Sequence, residues 1–139
     1  MAVETLIGVS VLIAGTDISD HVKSVTIDDA RDEFDDTVMS HVAKSTTGGL
    51  PSPSITISFL QDYASAKTHA LLRAAVNVST AVVIRKTAGT IRSGTNPEFQ
   101  FTGKLMKYAP ISGSVGQFQV PSVTFVSTGT ALSEVTTAT

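Results

Sequence analysis

The chain has 139 residues, of which 42% are hydrophobic and 16% are charged, and its formal net charge is −2. This length suits one globular domain, and the low net charge together with a mean hydropathy of +0.22 excludes intrinsic disorder. No apolar run is long enough to span a membrane, the near-neutral balance disfavours a dedicated nucleic-acid binder, and the lack of cysteine excludes disulfides and thiolate metal sites. We therefore predict a single domain over residues 1–139, without a signal peptide because the N-terminus has no basic segment.

Alternating apolar and polar positions, rich in valine, isoleucine and threonine, predict six β-strands. In chain order the strands cover residues 8–14, 24–28, 54–59, 80–84, 99–105 and 118–125. The alternation changes phase at Pro121 in the last strand. A phase change at a proline predicts a β-bulge, or a strand that passes from one sheet to another.

Three segments depart from the strand pattern. Residues 64–75 are rich in helix formers without glycine or proline and predict one short helix, capped by Asp62 or Ser65. Residues 35–53 predict a long loop, which in a small domain is more often functional than idle. We also predict extended terminal arms at residues 1–7 and 132–139. These elements together predict a mainly β fold, an antiparallel β-sandwich or barrel with one short α-helix.

Charged residues are sorted along the chain. Between residues 17 and 36 there are eight acidic and two basic side chains, whereas between residues 37 and 126 there are eight basic and two acidic ones. The two regions could be paired within one chain or between copies, where matched potentials set the orientation of the partners. The sequence leaves both alternatives open. The low charged fraction also indicates that much of the surface is covered in use.

No catalytic or metal-binding motif is present in the sequence. The histidines His21, His41 and His69 lie on different predicted elements, and we interpret them as surface or capping residues. The acidic residues 28–36 lack the glycine and the terminal glutamate of an EF-hand loop, and on a strand their side chains alternate between faces. We interpret this run as an acidic edge that faces solvent or a partner. The sequence therefore predicts no enzyme activity, no metal and no cofactor.

Three stretches carry a resemblance to a known family. They are DISDHVKSVTI (17–27) with DDTVM (35–39), then SFLQDY (58–63), and finally NPEFQFTG (96–103) with YAPISGSVG (108–116) and VTF (123–125). In order and spacing they resemble the major tail protein, or tail tube protein, of long-tailed siphovirus-type bacteriophages, especially those that infect actinobacteria.

The resemblance implies a β-sandwich subunit that forms hexameric rings, which stack into a hollow tube through which double-stranded DNA passes. It implies a protein of the virion tail that is assembled in the host bacterial cytoplasm and has no membrane contact. The implied partners are other copies of the chain and the tape-measure, tail-tip and tail-terminator proteins.

For such an assembly we expect contacts between subunits from the long loop, the arms, the acidic run and the basic residues of a neighbour. The expected contact residues are Ala2, Val3, Glu4, Thr5, Leu6, Asp28, Asp29, Asp32, Glu33, Asp35, Asp36, Val38, Met39, His41, Lys44, Leu50, Arg85, Lys86 and Arg92. The polar faces of two strands suit a wet channel wall, and the candidates for lining it are Ser54, Thr56, Ser58, Gln100 and Thr102.

Other classes of protein remain as alternatives. A β-sandwich binding module, such as a virion decoration or carbohydrate-binding domain, would need exposed aromatic residues, and the chain has two tyrosines and no tryptophan. A secretion-system or contractile-tail inner tube shares the same ring-forming arrangement. An enzyme on a β scaffold would need a convergent polar pocket, which the sequence does not indicate.

Overall fold

The computed structural model describes residues 8–65, 67–87 and 93–137. These residues contain eight strands and one α-helix, so the prediction of a mainly β fold with a single short helix is confirmed. The elements are β1 (Ser10–Ile13), β2 (Thr16–Asp17), β3 (Val22–Asp35), β4 (Thr46–Phe59), α1 (Thr68–Ala75), β5 (Thr80–Arg85), β6 (Glu98–Leu105), β7 (Ser122–Ser127) and β8 (Ser133–Val135), with a 3₁₀ turn at Ser19–His21.

The strands form one antiparallel sheet in the order β2-β1-β5-β6-β7-β4-β3, and β8 pairs with β6. The sheet curls, so that Val9 beside β1 and Val25 of β3 line the same apolar cavity, although four strands separate β1 from β3 in the sheet. One core therefore fills the space between the two halves of the sheet.

The core is built from the apolar side chains at every second position of the strands. Ile55, Ile57 and Phe59 of β4 are fully buried, and across the ladder Ile55 pairs with the buried Phe125 of β7. Helix α1 adds Leu72 to the same cluster. The intervening side chains of β4 face outward, as the period of two requires.

The predicted long loop at 35–53 is wrong in its extent, because β3 and β4 are fourteen-residue partners joined by residues 36–45. The glycines and prolines that suggest a loop lie within β4. Pro51 and Pro53 pair with β3 beyond the end of the β4–β7 ladder, where a missing N–H breaks no bond to β7. A register shift next to Gly49 absorbs the irregular sequence.

Other boundaries also differ from the prediction. Helix α1 begins at Thr68 rather than near residue 64, and Asp62 Oδ1 instead accepts the N–H of Ala64 in a turn (2.9 Å). The strand predicted at 118–125 is β7, which begins only at Ser122, after Pro121, whose carbonyl accepts the N–H of Phe59 (3.1 Å).

The C-terminal segment, predicted as an arm without a core face, contains β8, and Leu132 packs against the core. The predicted N-terminal arm, with Ala2 to Leu6, lies outside the described residues.

No helix in the described part of the chain is long and apolar enough to cross a membrane.

Candidate assembly surfaces

The outer halves of β3 and β4 form a two-stranded arm that extends the sheet at one end. β7 pairs with residues 54–58 of β4 and leaves residues 46–53 beyond that ladder, while β3 is an edge strand. Every residue from 28 to 44 is exposed. We call residues 28–53 the acidic arm. A two-stranded ribbon alone is marginally stable in water, so further contacts would stabilise it.

The predicted acidic contact residues all lie on this arm and are exposed. They are Asp28, Asp29, Asp32, Glu33, Asp35 and Asp36, and the arm balances them with only Arg31 and Lys44. A hydrogen bond from Thr37 lowers the pKa of Asp35, and hydrogen bonds from Ser45 and Thr47 lower the pKa of Asp36. Both carboxyl groups are therefore charged at neutral pH, and they also order the tip of the arm.

The arm also exposes large apolar side chains, namely Phe34, Val38, Met39, Val42 and Leu50. Val42 and Met39 at the tip are fully exposed. The ring of Phe34 lies over Gly49 on the facing strand, and a Cβ on that glycine would collide with it. Phe34 therefore covers the backbone of the partner strand, while 59% of its own surface remains in solvent. His41 accepts the N–H of Val38 at Nδ1 (3.2 Å) and helps to order the tip.

A second apolar surface, which the sequence did not predict, is the β6–β7 loop, residues 106–121. It has no helix or strand and exposes Met106, Ile111, Val115, Phe118 and Val120. Its only charged residue is Lys107. The available signal was its length, because loops this long without regular structure are uncommon in compact domains and are often functional.

The base of the β6–β7 loop is held by hydrogen bonds to the segment that follows β4. Gln61 Nε2 and the Tyr63 hydroxyl both donate to the carbonyl of Pro110, at 2.8 and 2.5 Å. Gln119 Oε1 accepts the N–H of Ser112 (3.2 Å) and the Tyr63 hydroxyl also reaches it. Burial raises the pKa of the neighbouring Tyr108, so its hydroxyl stays neutral. The loop is thus fixed at its base while its apolar side chains point into solvent.

The five predicted lumen residues lie on one face of the sheet. The cross-strand register places Ser24, Ser58 and Ser122 in one row and Thr26, Thr56 and Thr124 in the next. The hydroxyls of Thr56 and Thr124 are 3.2 Å apart. Gln100 and Thr102 continue this face on β6. We call it the hydroxyl face.

Charges on the hydroxyl face lie outside its serine and threonine rows, and on β5 and β6 they include the mutually paired Arg85 and Glu98. Its next row runs Asp28, Ser54, Val126 and Lys104, so one acid and one base lie in a single row at the side nearer the arm. The two rows of serine and threonine beyond it carry no charge. The sequence pattern predicts hydroxyl side chains on one face of single strands, and the register shows that they align across strands.

Two of the basic residues predicted to meet a neighbour's acids have partners within the chain. Arg85 pairs with Glu98 across the β5–β6 ladder, with Nη2 2.5 Å from Oε2, and Glu98 is 6% exposed. Lys86 Nζ donates to the carbonyl of Thr95 (2.5 Å). For Arg85 and Lys86 the structure thus uses contacts within the chain. Arg92 lies outside the described residues.

His21 occupies a structural polar site. Its Nδ1 lies 2.8 Å from Asp20 Oδ1 and its Nε2 lies 2.9 Å from Asp62 Oδ2. The hydrogen bond to Asp20, supported by the one to Asp62, raises the pKa of His21, and the same contacts lower the pKa of Asp20. Across residues 8–65, 67–87 and 93–137, no group of three or more acidic or histidine side chains is arranged to hold a metal ion.

Comparison with known proteins does not assign the chain to a family: no protein-family model matches it, and no curated protein matches its sequence. Its function therefore has to be inferred from its surfaces.

Proposed function

We propose that this chain is a structural subunit, without catalytic activity, that assembles into hexameric rings stacked as the tail tube of a long-tailed bacteriophage. One observation carries the proposal. Thirteen large hydrophobic side chains are exposed among the described residues, and ten of them lie in only two segments, the acidic arm and the β6–β7 loop. Clustered apolar surface of this kind marks contacts with other macromolecules, whereas isolated exposed residues need no explanation.

The edge of the sheet supports self-assembly over binding of an unrelated ligand. β3 is fourteen residues long, and in the described part of the chain its ladder partner is β4 alone. A long unpaired edge is a template for another strand and promotes uncontrolled aggregation unless it is covered. Pairing with the neighbour within a ring would extend the sheet from subunit to subunit and would cover this edge.

The hydroxyl face supports the role of a conduit. Phosphate contacts from lysine and arginine bind DNA tightly, so a channel through which DNA slides should present few of them. Two rows of serine and threonine without a charge meet that requirement. Lys104 lies at the margin of this face, in the same row as Asp28. On this proposal the hydroxyl face lines the lumen.

The remaining parts of the proposal follow from the resemblance of the sequence. The protein belongs to the virion tail and is assembled in the host bacterial cytoplasm. Its further partners are the tape-measure, tail-tip and tail-terminator proteins, and double-stranded DNA passes through the tube without specific contacts.

Negative-stain electron microscopy tests the proposal. We expect the purified chain to form rings or tubes as its concentration rises. A variant in which Asn-Gly replaces residues 32–50 keeps the β3–β4 pairing up to Arg31 and Pro51. It should fold, as judged by circular dichroism, and remain monomeric. If the unaltered chain stays monomeric at every concentration and salt condition, the proposal is wrong.

A further inference from the structure

Residues 60–63, between β4 and α1, are held between two other parts of the chain. On one side the carbonyl of His21, in the 3₁₀ turn before β3, accepts the N–H of Leu60 (2.7 Å). On the other side the N–H of Gln61 bonds to the carbonyl of Gln119 in the β6–β7 loop (3.1 Å). The order of the loop base therefore depends on how firmly this four-residue segment is held.

The ring of His21 holds the segment through a pair of carboxylates. Its Nε2 lies 2.9 Å from Oδ2 of Asp62, and its Nδ1 lies 2.8 Å from Oδ1 of Asp20. An ionised carboxylate only accepts hydrogen bonds, so both contacts are hydrogen bonds only when both ring nitrogens carry a proton. The side chain of His21 is 18% exposed, which leaves little room for water to replace either partner. We call these three side chains the histidine clasp.

The charges around His21 fix the direction of its response to pH. The hydrogen bond to His21, with the nearby charge of Lys67, lowers the pKa of Asp20. The N–H of Ala64, together with Lys67, lowers the pKa of Asp62. The hydrogen bond to Asp20 raises the pKa of His21. Both carboxylates therefore stay ionised while His21 titrates, and the ring is charged on the acidic side of that titration and neutral on the alkaline side.

A neutral His21 keeps only one of its two contacts. When one ring nitrogen has lost its proton, its lone pair faces a carboxylate oxygen, and the two repel each other. Loss of the bond to Asp62 frees residues 60–63 directly. Loss of the bond to Asp20 removes the contact that orients the ring toward Asp62. In both cases the segment opens more readily, and local opening of this kind is what exposes backbone amides to exchange.

We infer that the histidine clasp is a pH-sensitive switch, which holds residues 60–63 and the base of the β6–β7 loop while the imidazole is charged and loosens both when it is neutral. The clasp lies within one chain, so this inference does not depend on the proposed assembly. It adds a means by which pH regulates the order of one of the two apolar surfaces.

Hydrogen–deuterium exchange of the full chain at low micromolar concentration, at mildly acidic and mildly alkaline pH, tests the switch. Protection factors are compared, because they remove the direct effect of pH on the exchange chemistry. The N–H groups of Gln61 and Ser112 both bond to Gln119. We expect their protection to fall at least about threefold at the alkaline pH, because a charge-assisted hydrogen bond is lost. Residues 28–31 of β3 open without breaking the clasp, so their protection is the internal reference and should not change.

Three variants assign the effect to the clasp. His21→Asn should exchange at the acidic pH as fast as the unaltered chain does at the alkaline pH, and its protection should not depend on pH. Asp62→Asn, which keeps an oxygen for the N–H of Ala64, should reduce the pH dependence as well. His41→Asn, at the tip of the acidic arm, is the matched control and should keep the full pH dependence. Circular dichroism of each variant establishes that it folds.

A second histidine contacts the loop base from α1, since Nδ1 of His69 lies 2.9 Å from the hydroxyl of Tyr108. His69→Asn should keep the pH dependence, and its loss in this variant with retention in His21→Asn would overturn the inference. Equal protection of the unaltered chain at both pH values would overturn it too, as would a change confined to residues 60–63 with none in the loop. None of these results depends on whether rings form, which microscopy decides separately.

Discussion

Nε2 of His21 lies 2.9 Å from Oδ2 of Asp62, a residue 41 positions further along the chain. This contact joins the start of β3 to the segment between β4 and α1, and Nδ1 of the same ring meets Asp20. Both ring nitrogens face carboxylate oxygens, so the doubly protonated, charged imidazole satisfies both partners.

The stabilising effect of this cluster should depend on pH. Because the folded-state pKa of His21 is raised above its ordinary value of 6.5, its contribution is full below 6.5 and is lost as the pH rises through the raised value. The folded-state pKa values of Asp20 and Asp62 are lowered, so their contributions are present above 3.8 and are lost as the pH falls through the lowered values. The cluster thus stabilises most between these limits.

Urea unfolding of the monomer at mildly acidic and mildly alkaline pH measures this effect. His21→Asn should cost more stability at the acidic pH than at the alkaline one. Asp62→Asn, which keeps an oxygen for the N–H of Ala64, should show the same trend, and a double-mutant cycle isolates the coupling. A coupling free energy that does not change with pH would contradict the assignment.

Thr68 supplies a second test of the segment that leads into α1. Its side chain is fully buried, Oγ1 accepts the N–H of Asp62 (2.9 Å), and the same hydroxyl donates to Gln61 Oε1 (3.2 Å). Thr68→Val keeps the shape and leaves the N–H of Asp62 without its acceptor. We expect a loss of about 1–3 kcal/mol in the free energy of unfolding. Thr26→Val, on the exposed hydroxyl face, is the control and should change stability by less than about 0.5 kcal/mol.

Gly103 lies where two elements meet closely. A Cβ at this position would lie 2.8 Å from the carbonyl oxygen of Val126 and would collide with the ring of Phe101. Because a backbone atom cannot move aside, Gly103→Ala should destabilise the monomer by about 1–3 kcal/mol. Gly94→Ala, which meets open space, is the matched control. Equal thermal midpoints for the two variants would show that the sheet adjusts without cost.

The acidic arm should open more readily than the body of the monomer. Backbone amides of residues 28–35 should exchange with deuterium faster than those of residues 55–59. Among the described residues β3 has β4 as its one pairing partner, and its side chains here are exposed, so its amides are less protected from water. Phe34→Ala uncovers Gly49 and should speed exchange in the arm alone, whereas Phe118→Ala should leave the arm unchanged. Slow exchange throughout the arm of a monomer would mean that it is stable without a partner. Assembly should slow exchange in the arm.

The sequence predicted the strands whose two faces differ most. Ile55, Ile57 and Phe59 alternate with hydroxyl residues, and they are buried as expected. The arm was harder to predict, because residues 28–35 of β3 are exposed on both faces and no apolar alternation marks them. Its glycines and prolines instead resemble a loop. The predicted acidic contact residues nevertheless lie on it, since the acidic run is local in the chain.

The contacts that join distant segments could not be predicted from the sequence. The pairing of His21 with Asp62 and the attachment of the β6–β7 loop through Gln61 and Gln119 depend on strand register, which no local pattern specifies. The pairing of β8 with β6 has the same origin, since three residues are too few for a periodic signal. A long segment rich in glycine and serine was the sole indication of the second apolar surface.

Sedimentation velocity of the 139-residue chain, from micromolar to millimolar concentration, tests the central claim most directly. We expect the monomer to give way to large particles as the concentration rises, because the edge of β3, the acidic arm and the β6–β7 loop are then covered by other copies. Sedimentation as a monomer across that whole range, at both low and high salt, would contradict the claim.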